Sequence, residues 1–311
     1  MENVDYKQVN FQASLVKVVE RYSRQVLALG LETQEKLREI SILVAGCGAT
    51  GSHVLELLVR MGVREVLVVD PDIVELSNLH RTSLFKEEDV GSPKAKVCAR
   101  RATEINSEVS IKPFVDMIDQ SNVLKFVKTV DFVFDGLDSM YSRLILNDAA
   151  VQLGRPLVYG GVEGEYGTAY LIVPHRTACL SCFVEGEQGI GSCEVIGTTG
   201  PIIGLVASLE VQLFLNYLRG IEGVGLTYID GKNLEIRTVP ISKNPKCQAC
   251  SLGLFNYLGN NFNPQHCGIT RVSEPKNEVP TFVKDEVKVF ASPAGKIICY
   301  GSTCFNKLQI H

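Results

Sequence analysis

The stretch Ile42 to Gly51, ILVAGCGATG, decides the fold of this chain. Its first residues are apolar or small without alternation, which reads as a strand buried on both faces. Gly46, Gly48 and Gly51 follow as a GxGxxG where strand must turn into helix. The first glycine permits the tight turn, the second lets backbone N–H groups approach a phosphate, and the third lets the helix pack close to the strand. The next segment carries Val54, Leu57, Leu58 and Met61 as one apolar stripe, with Gly62 placed to cap the helix. Its N-terminus offers free N–H groups and partial positive charge to an anion. A second apolar run, EVLVVD, closes at Asp70, where a carboxylate can accept hydrogen bonds from a ribose. A nucleotide site follows, and a glycine turn without a ligand is the plainer alternative.

Outward from this unit, strands and helices alternate. Before it, Leu15, Val18, Val19, Tyr22, Val26 and Leu29 recur at helical spacing and end at Gly30, on a helix bearing Arg21 and Arg24. After it, PDIVELSNLHRTSLF forms a loop with Asp72, Asn78 and Arg81, and VGSPKAK places Lys94 at the start of a helix reaching about Asn106. Strands are expected at 109–115 and 131–134. DGLDSMYSR then sets Asp135 and Asp138 past a strand's C-terminal end, where doubly wound sheets bind ligands. A helix from about Met140 stops at Gly154, and PLVYGGV and TAYLIVP read as further strands. The pattern implies an α/β fold with a doubly wound, mostly parallel sheet.

The second half holds Cys179-Leu-Ser-Cys182, a glycine-rich loop to Cys193, an apolar helix near 202–219, two short strands and Cys247-Gln-Ala-Cys250. Two CxxC pairs can grip one metal from two sides, and four thiolates suit a closed, structural zinc site. Closing the long intervening loop costs only about 3–4 kcal/mol. Structural zinc returns roughly 10–16 kcal/mol, so binding wins; a redox role for either pair is the alternative. Beyond Gly253 the composition becomes linker-like, and TFVKDEVKVF with KIICYG suggests two strands joined by a turn at 292–295.

Composition narrows the partners. A net charge of -4 over 311 residues gives no basic field for nucleic acid. The apolar segment 201–218 holds Glu210 and Gln212, so a protein core suits it better than a bilayer. The start, MENVDYKQVN, lacks the features of a signal peptide. With ten cysteines this favours a reducing, cytoplasmic setting, in which Cys47, Cys98, Cys267, Cys299 and Cys304 read as filler, a second redox or metal pair being the alternative for Cys299 and Cys304.

Asp70, Asn78, Arg81, Lys94 and Asp138 lie on loops after successive strands and can converge on phosphates. Two cations and a carboxylate able to hold Mg²⁺ exceed the needs of hydride transfer and suit phosphoryl chemistry. The series RYSRQ, GCGATG, VVDPD, SNLHR, VGSPKAK, GLDS and the paired CxxC motifs resembles the ThiF/MoeB and ubiquitin-activating-enzyme superfamily, from Arg21 to Cys250. YGGVEGEYGTAYLIVPHRTACLSC is similar to the adenylating subunits of ubiquitin-like activating enzymes.

The resemblance implies a Rossmann-like adenylation domain over 21–254, zinc-stapled in its C-terminal half, after an N-terminal helical arm (1–20) and before a small β-rich appendage (255–311). It implies ATP-dependent adenylylation of the C-terminal glycine of a β-grasp carrier, ubiquitin-like or sulfur-carrying, that ends in Gly-Gly. Asp70, with Asp72 beside it, then serves the ribose side; Asn78, Arg81 and Lys94 contact phosphates and Asp138 holds Mg²⁺. Arg24, with Arg21 nearby, reaches into the neighbouring subunit of a homodimer. Cys193 lies where relatives use a cysteine to accept the activated group as a thioester or acyl-disulfide, for which a small structural cysteine is the alternative. A conjugating enzyme or a sulfur donor acts downstream. Thr82 and Ser139 depart from the glutamine and asparagine common at those positions. Two other readings stay open: a non-catalytic scaffold subunit of a heterodimer, and an NAD-dependent oxidoreductase.

Overall fold

The computed structural model describes residues 20–184, 197–221 and 225–259, with the backbone of three further strands between 282 and 300. Helix α1 covers 20–29 and turns at Gly30 into α2 (Leu31–Glu39). Then come β1 (Ser41–Ala45), α3 (Ala49–Met61), β2 (Glu65–Val69), α4 (Lys94–Ile105) and β3 (Ser110–Phe114). α5 (Val123–Lys128), β4 (Phe132–Asp135), α6 (Met140–Gln152), β5 (Leu157–Glu163) and β6 (Tyr166–Ile172) follow. The long helix α7 (Gly200–Leu218) leads to β7 (Leu226–Asp230) and β8 (Glu235–Val239).

These strands make one sheet in the order β3-β2-β1-β4-β5-β6-β7-β8. β1 is central and buried along its whole length, as its unbroken apolar run requires. The order reverses beside it, between β2 and β4, so a crevice opens at the C-terminal ends of β1 and β4. Strands β3 to β5 pair in parallel, whereas β5-β6, β6-β7 and β7-β8 are antiparallel. The mostly parallel sheet is therefore found in the first half, and the second half turns back on itself. Two residues separate β5 from β6, with Gly164 at φ 60, and a parallel partner needs a crossover of a dozen or more.

Two cores flank the sheet. One lies between α3, α4, α7 and one face; the other joins α5, α6 and the first CxxC turn to the opposite face. The buried face of α3 consists of Val54, Leu55, Leu58 and Val59, with Leu57 and Met61 half-buried beside it. The apolar face is thus wider than the expected stripe, because α3 packs on α4 and α7 as well as on the sheet. Gly62 caps α3 in the left-handed conformation, at φ 78. β3 is an edge strand with little burial, which accommodates Pro113.

One helix among the described residues, α7, is long and apolar enough to cross a membrane. It packs instead on α3, β5 and β6, and Glu210 at its middle is wholly buried. The C-terminal segment differs from the two expected strands. Phe282–Lys284, Val287–Ala291 and Ile297–Tyr300 form a three-stranded antiparallel sheet, the acidic Asp285-Glu286 interrupting the first apolar run. Phe255, Tyr257 and Leu258, at the expected start of the appendage, pack against the α6 side of the main core.

Candidate nucleotide site and cysteine cluster

The GxGxxG turn stands at the crevice. Gly46 holds φ 88, and a side chain there would meet the Gly136 carbonyl oxygen at 2.4 Å. A Cβ on Gly51 would lie 2.0 Å from the Gly46 carbonyl oxygen, so α3 can approach β1 only as glycine allows. Gly48, by contrast, faces open space and precedes a helix N-terminus with no side-chain cap. Room and unpaired donors at one place suit an anion.

Asp70 sits beneath the turn, buried at the end of β2. Its Oδ2 accepts from the Cys47 N–H at 2.7 Å and its Oδ1 from the Asp72 N–H at 2.9 Å. Burial pushes its pKa up to about 6, against the pull of Lys94. Lys94 reaches back from the first turn of α4 to Asp72 Oδ2 at 2.9 Å. Burial lowers its ammonium pKa, but Asp70 and Asp72 outweigh that and hold it above the usual lysine range, with Asp138 adding to them. Asp70, Asp72, Lys94 and Asp138 are therefore brought into one electrostatic neighbourhood at the crevice.

The other expected residues are placed differently. Arg81 donates to the Ser77 carbonyl at 2.6 Å, and its loop is tied to α3 by the Ser83 N–H on Ser52 Oγ at 3.3 Å. Asn78 is buried and its Oδ1 accepts the Glu75 N–H at 3.0 Å, so its carboxamide oxygen shapes the turn that presents Arg81. Arg24 is exposed on α1, and Arg21 donates to the Ile105 carbonyl at the far end of α4. Eleven helical steps separate that carbonyl from Lys94, about 16 Å, so Arg21 does not join this crevice within the chain. Cys193, Cys267 and Cys304 lie outside the described residues, and of Cys299 only the backbone is described.

Two features escaped the sequence reading. Cys47 and Cys98, taken as filler, form a disulfide that joins the nucleotide turn to α4. Nothing in a separation of 51 residues marks them; the packing of α3 on α4 does. The second feature is a buried group behind the Asp138 loop: Asp135 and Arg143 around Leu137, and Glu210 on α7. Burial pushes the Asp135 pKa up to about 6, with Arg143 opposing. Glu210 is driven well above the carboxylate range by burial and then by Asp135.

The four CxxC cysteines converge. Cys179 Sγ lies 3.6 Å from Cys247 Sγ and Cys182 Sγ 3.4 Å from Cys250 Sγ, with all four sulfurs within 4.8 Å of one another. A tetrahedral zinc with bonds near 2.3 Å sets its sulfurs about 3.8 Å apart, so the cluster fits the ion. Burial first and the neighbouring sulfurs next raise the pKa of Cys179, and burial raises that of Cys182 to about 11. Around the cluster, Asn147 Oδ1 accepts the Leu180 N–H at 2.9 Å within the first CxxC, and Asp148 Oδ2 accepts the Tyr257 N–H at 3.1 Å in the chain that follows the second.

Comparison with known proteins agrees with this geometry. The model of the ThiF family matches residues 22–249. The sulfur carrier protein ThiS adenylyltransferase of Bacillus subtilis is 36% identical over 247 residues, covering 76% of this chain and 73% of that protein. The SAMP-activating enzyme E1 of Haloferax volcanii is 33% identical, covering 76% of this chain and 90% of its own. Among solved structures, E. coli MccB superposes with a TM-score of 0.66 at 22% identity, over 81% of this chain and 84% of that one, a likeness of fold.

Proposed function

This chain belongs to the ThiF family, and on that footing we propose that it is an adenylyltransferase acting on the C-terminal glycine of a ubiquitin-like or sulfur-carrier protein with ATP. The observation that carries this reading is the gathering of Lys94, Asp70, Asp72 and Asp138 around an uncapped helix N-terminus with open space at Gly48. In support, the Bacillus subtilis relative is named a sulfur carrier protein adenylyltransferase and the Haloferax volcanii relative an activating enzyme.

The chemistry explains the residues. The carrier's terminal carboxylate attacks the α-phosphorus of ATP, the bond to pyrophosphate breaks, and an acyl-adenylate remains. Like charges 4 Å apart at an effective dielectric of 20 repel by about 4 kcal/mol, so the approach needs fixed positive charge. Lys94 and Arg81 supply it beside the backbone donors of α3. Asp70 accepts from the ribose hydroxyls, which requires its carboxylate form and the Lys94 charge that favours it. Asp138 would hold Mg²⁺, which when bound neutralises charge on the phosphate oxygens. Asn78, whose carboxamide oxygen is held within its own turn, would contact the phosphates. Arg24 and Arg21, exposed on α1, are assigned to a partner subunit's site in a homodimer. Cys193 keeps its sequence-based role as acceptor of the activated acyl group. Cys179, Cys182, Cys247 and Cys250 hold a structural zinc. We further assign the chain to the cytoplasm, although the Cys47–Cys98 disulfide departs from the fully reduced cysteines that this setting suggested, as an adenylation domain over 21–254 with its arm and appendage.

The reading is tested by incubating the protein with Mg·ATP and a panel of β-grasp carriers ending in Gly-Gly, then recording intact masses. One carrier should gain an AMP group that is lost when its last glycine is removed. Addition to a side chain instead, surviving that truncation, overturns the proposal.

A further inference from the structure

The loop that carries Asp138 is held from behind by a residue with no part in the chemistry described above. Between the end of β4 and the start of α6 the chain turns through Gly136, Leu137, Asp138 and Ser139. Both amide groups of Leu137 are pinned. Its N–H donates to Asp135 Oδ1 at 3.0 Å, and its carbonyl accepts from Arg143 Nε at 3.0 Å and also from Nη2. The remaining Nη1 of Arg143 donates to the Gly160 carbonyl on β5 at 2.7 Å, and the guanidinium lies 5.0 Å from the Tyr159 ring centre. Asp135 Oδ2 completes the group at 3.9 Å from Arg143 Nε.

Only a planar fork can serve two carbonyls and a ring face at once; a lysine offers one point charge. The group is also nearly dry, with the Arg143 side chain 11% exposed and that of Asp135 1%. Each bond there resists competition from water. Asp138 itself is exposed, and no hydrogen bond among the described residues holds its carboxylate. What the fold fixes is the origin and direction of its Cα–Cβ bond, and the Leu137 carbonyl belongs to the peptide plane that enters Asp138.

We propose that Arg143, with Asp135, is a positioning residue for the nucleotide site: it fixes the Leu137–Asp138 peptide plane and so aims the Asp138 carboxylate into the crevice. The inference rests on the assignment of Asp138 to Mg²⁺, and one experiment separates the two. ATP affinity of the full chain is measured with and without Mg²⁺, alongside thermal melting, for the wild type, Asp138→Asn and Arg143→Lys. Asp138→Asn should lose the strengthening of ATP binding by Mg²⁺. Arg143→Lys should weaken the Mg²⁺-dependent component roughly 10–100-fold, as loss of an orienting partner does, while the Mg²⁺-free affinity stays near that of the wild type.

A residue serving only the fold would move melting and both affinities together, and that result overturns the inference. So does an Arg143→Lys protein whose Mg²⁺ dependence matches the wild type while Asp138→Asn has lost it; the Mg²⁺ assignment then stands alone. If Asp138→Asn keeps its Mg²⁺ dependence, the assignment itself fails and the inference with it. Should Arg143→Lys not fold, Asp135→Asn carries the test. It keeps an oxygen for the Leu137 N–H but removes the charge facing Arg143, and the same Mg²⁺-selective loss is expected, smaller in size; an unchanged Mg²⁺ dependence overturns the inference.

Discussion

Arg81 makes one side-chain hydrogen bond among the described residues, to the Ser77 carbonyl within its own turn, so its removal should cost the fold little. If its charge faces the phosphates, Arg81→Ala lowers adenylylation by roughly 10²–10³-fold, the usual loss of one stabilising donor, at an unchanged melting temperature. Steady-state rates near those of the wild type contradict the role. Asp148 gives a prediction in pH. Burial pushes its carboxyl up to about 6, so between about 4 and 6 the folded chain keeps a proton that the unfolded chain has released. Stability contributed at this site therefore falls as pH rises through that window. Asp148→Asn should make the slope of stability against pH less negative by up to about 1.4 kcal/mol per unit, read by urea unfolding across the window. An unaltered slope contradicts the burial argument. At this scale the sequence was legible where charge had to gather: Asp70, Lys94 and Asp138 are ionic groups that follow strands in the chain, and they share one electrostatic neighbourhood. Arg143 was not, because its partners are backbone carbonyls brought near by the sheet, and no pattern of side chains names a carbonyl.

Elements were legible in proportion to how local their causes are. β1 and α3 follow from an apolar run and a glycine turn, and the Cys cluster from two tight pairs. One zinc per chain is expected by elemental analysis of the purified protein, and Cys247→Ser should lose the metal and melt lower, since Cys247 is buried against the α6 core. A metal-free protein with an unchanged melting temperature contradicts the clip. The sheet is mostly parallel as expected; the direction of its last strands was not legible because apolar runs alone do not give it, whereas the two-residue link between β5 and β6 does. The bridge between the nucleotide turn and α4 is the non-local case. Peptide mapping without reductant should recover Cys47 joined to Cys98. A closed loop of that span is worth up to about 4 kcal/mol, the loss expected for Cys98→Ser under oxidising conditions. Equal stability of the two proteins, or free thiols throughout, contradicts the bridge.

At the scale of the whole molecule, the parallel half of the sheet builds the crevice and the antiparallel half extends the sheet, while Asp148 ties the end of the 244–258 segment to α6. α6 thus has the Asp138 loop at one end and the cysteine cluster near the other, so both are positioned by one helix. A dehydrogenase has use for the glycine turn and Asp70 but none for Lys94 beside two carboxylates or for the loop cations. The most direct test is exchange of labelled pyrophosphate into ATP in the presence of a β-grasp protein ending in Gly-Gly. Exchange that requires the carrier's free terminal carboxylate, and that stops in Lys94→Ala, is the predicted result. Exchange that proceeds without any carrier, or that persists in Lys94→Ala, would contradict the account.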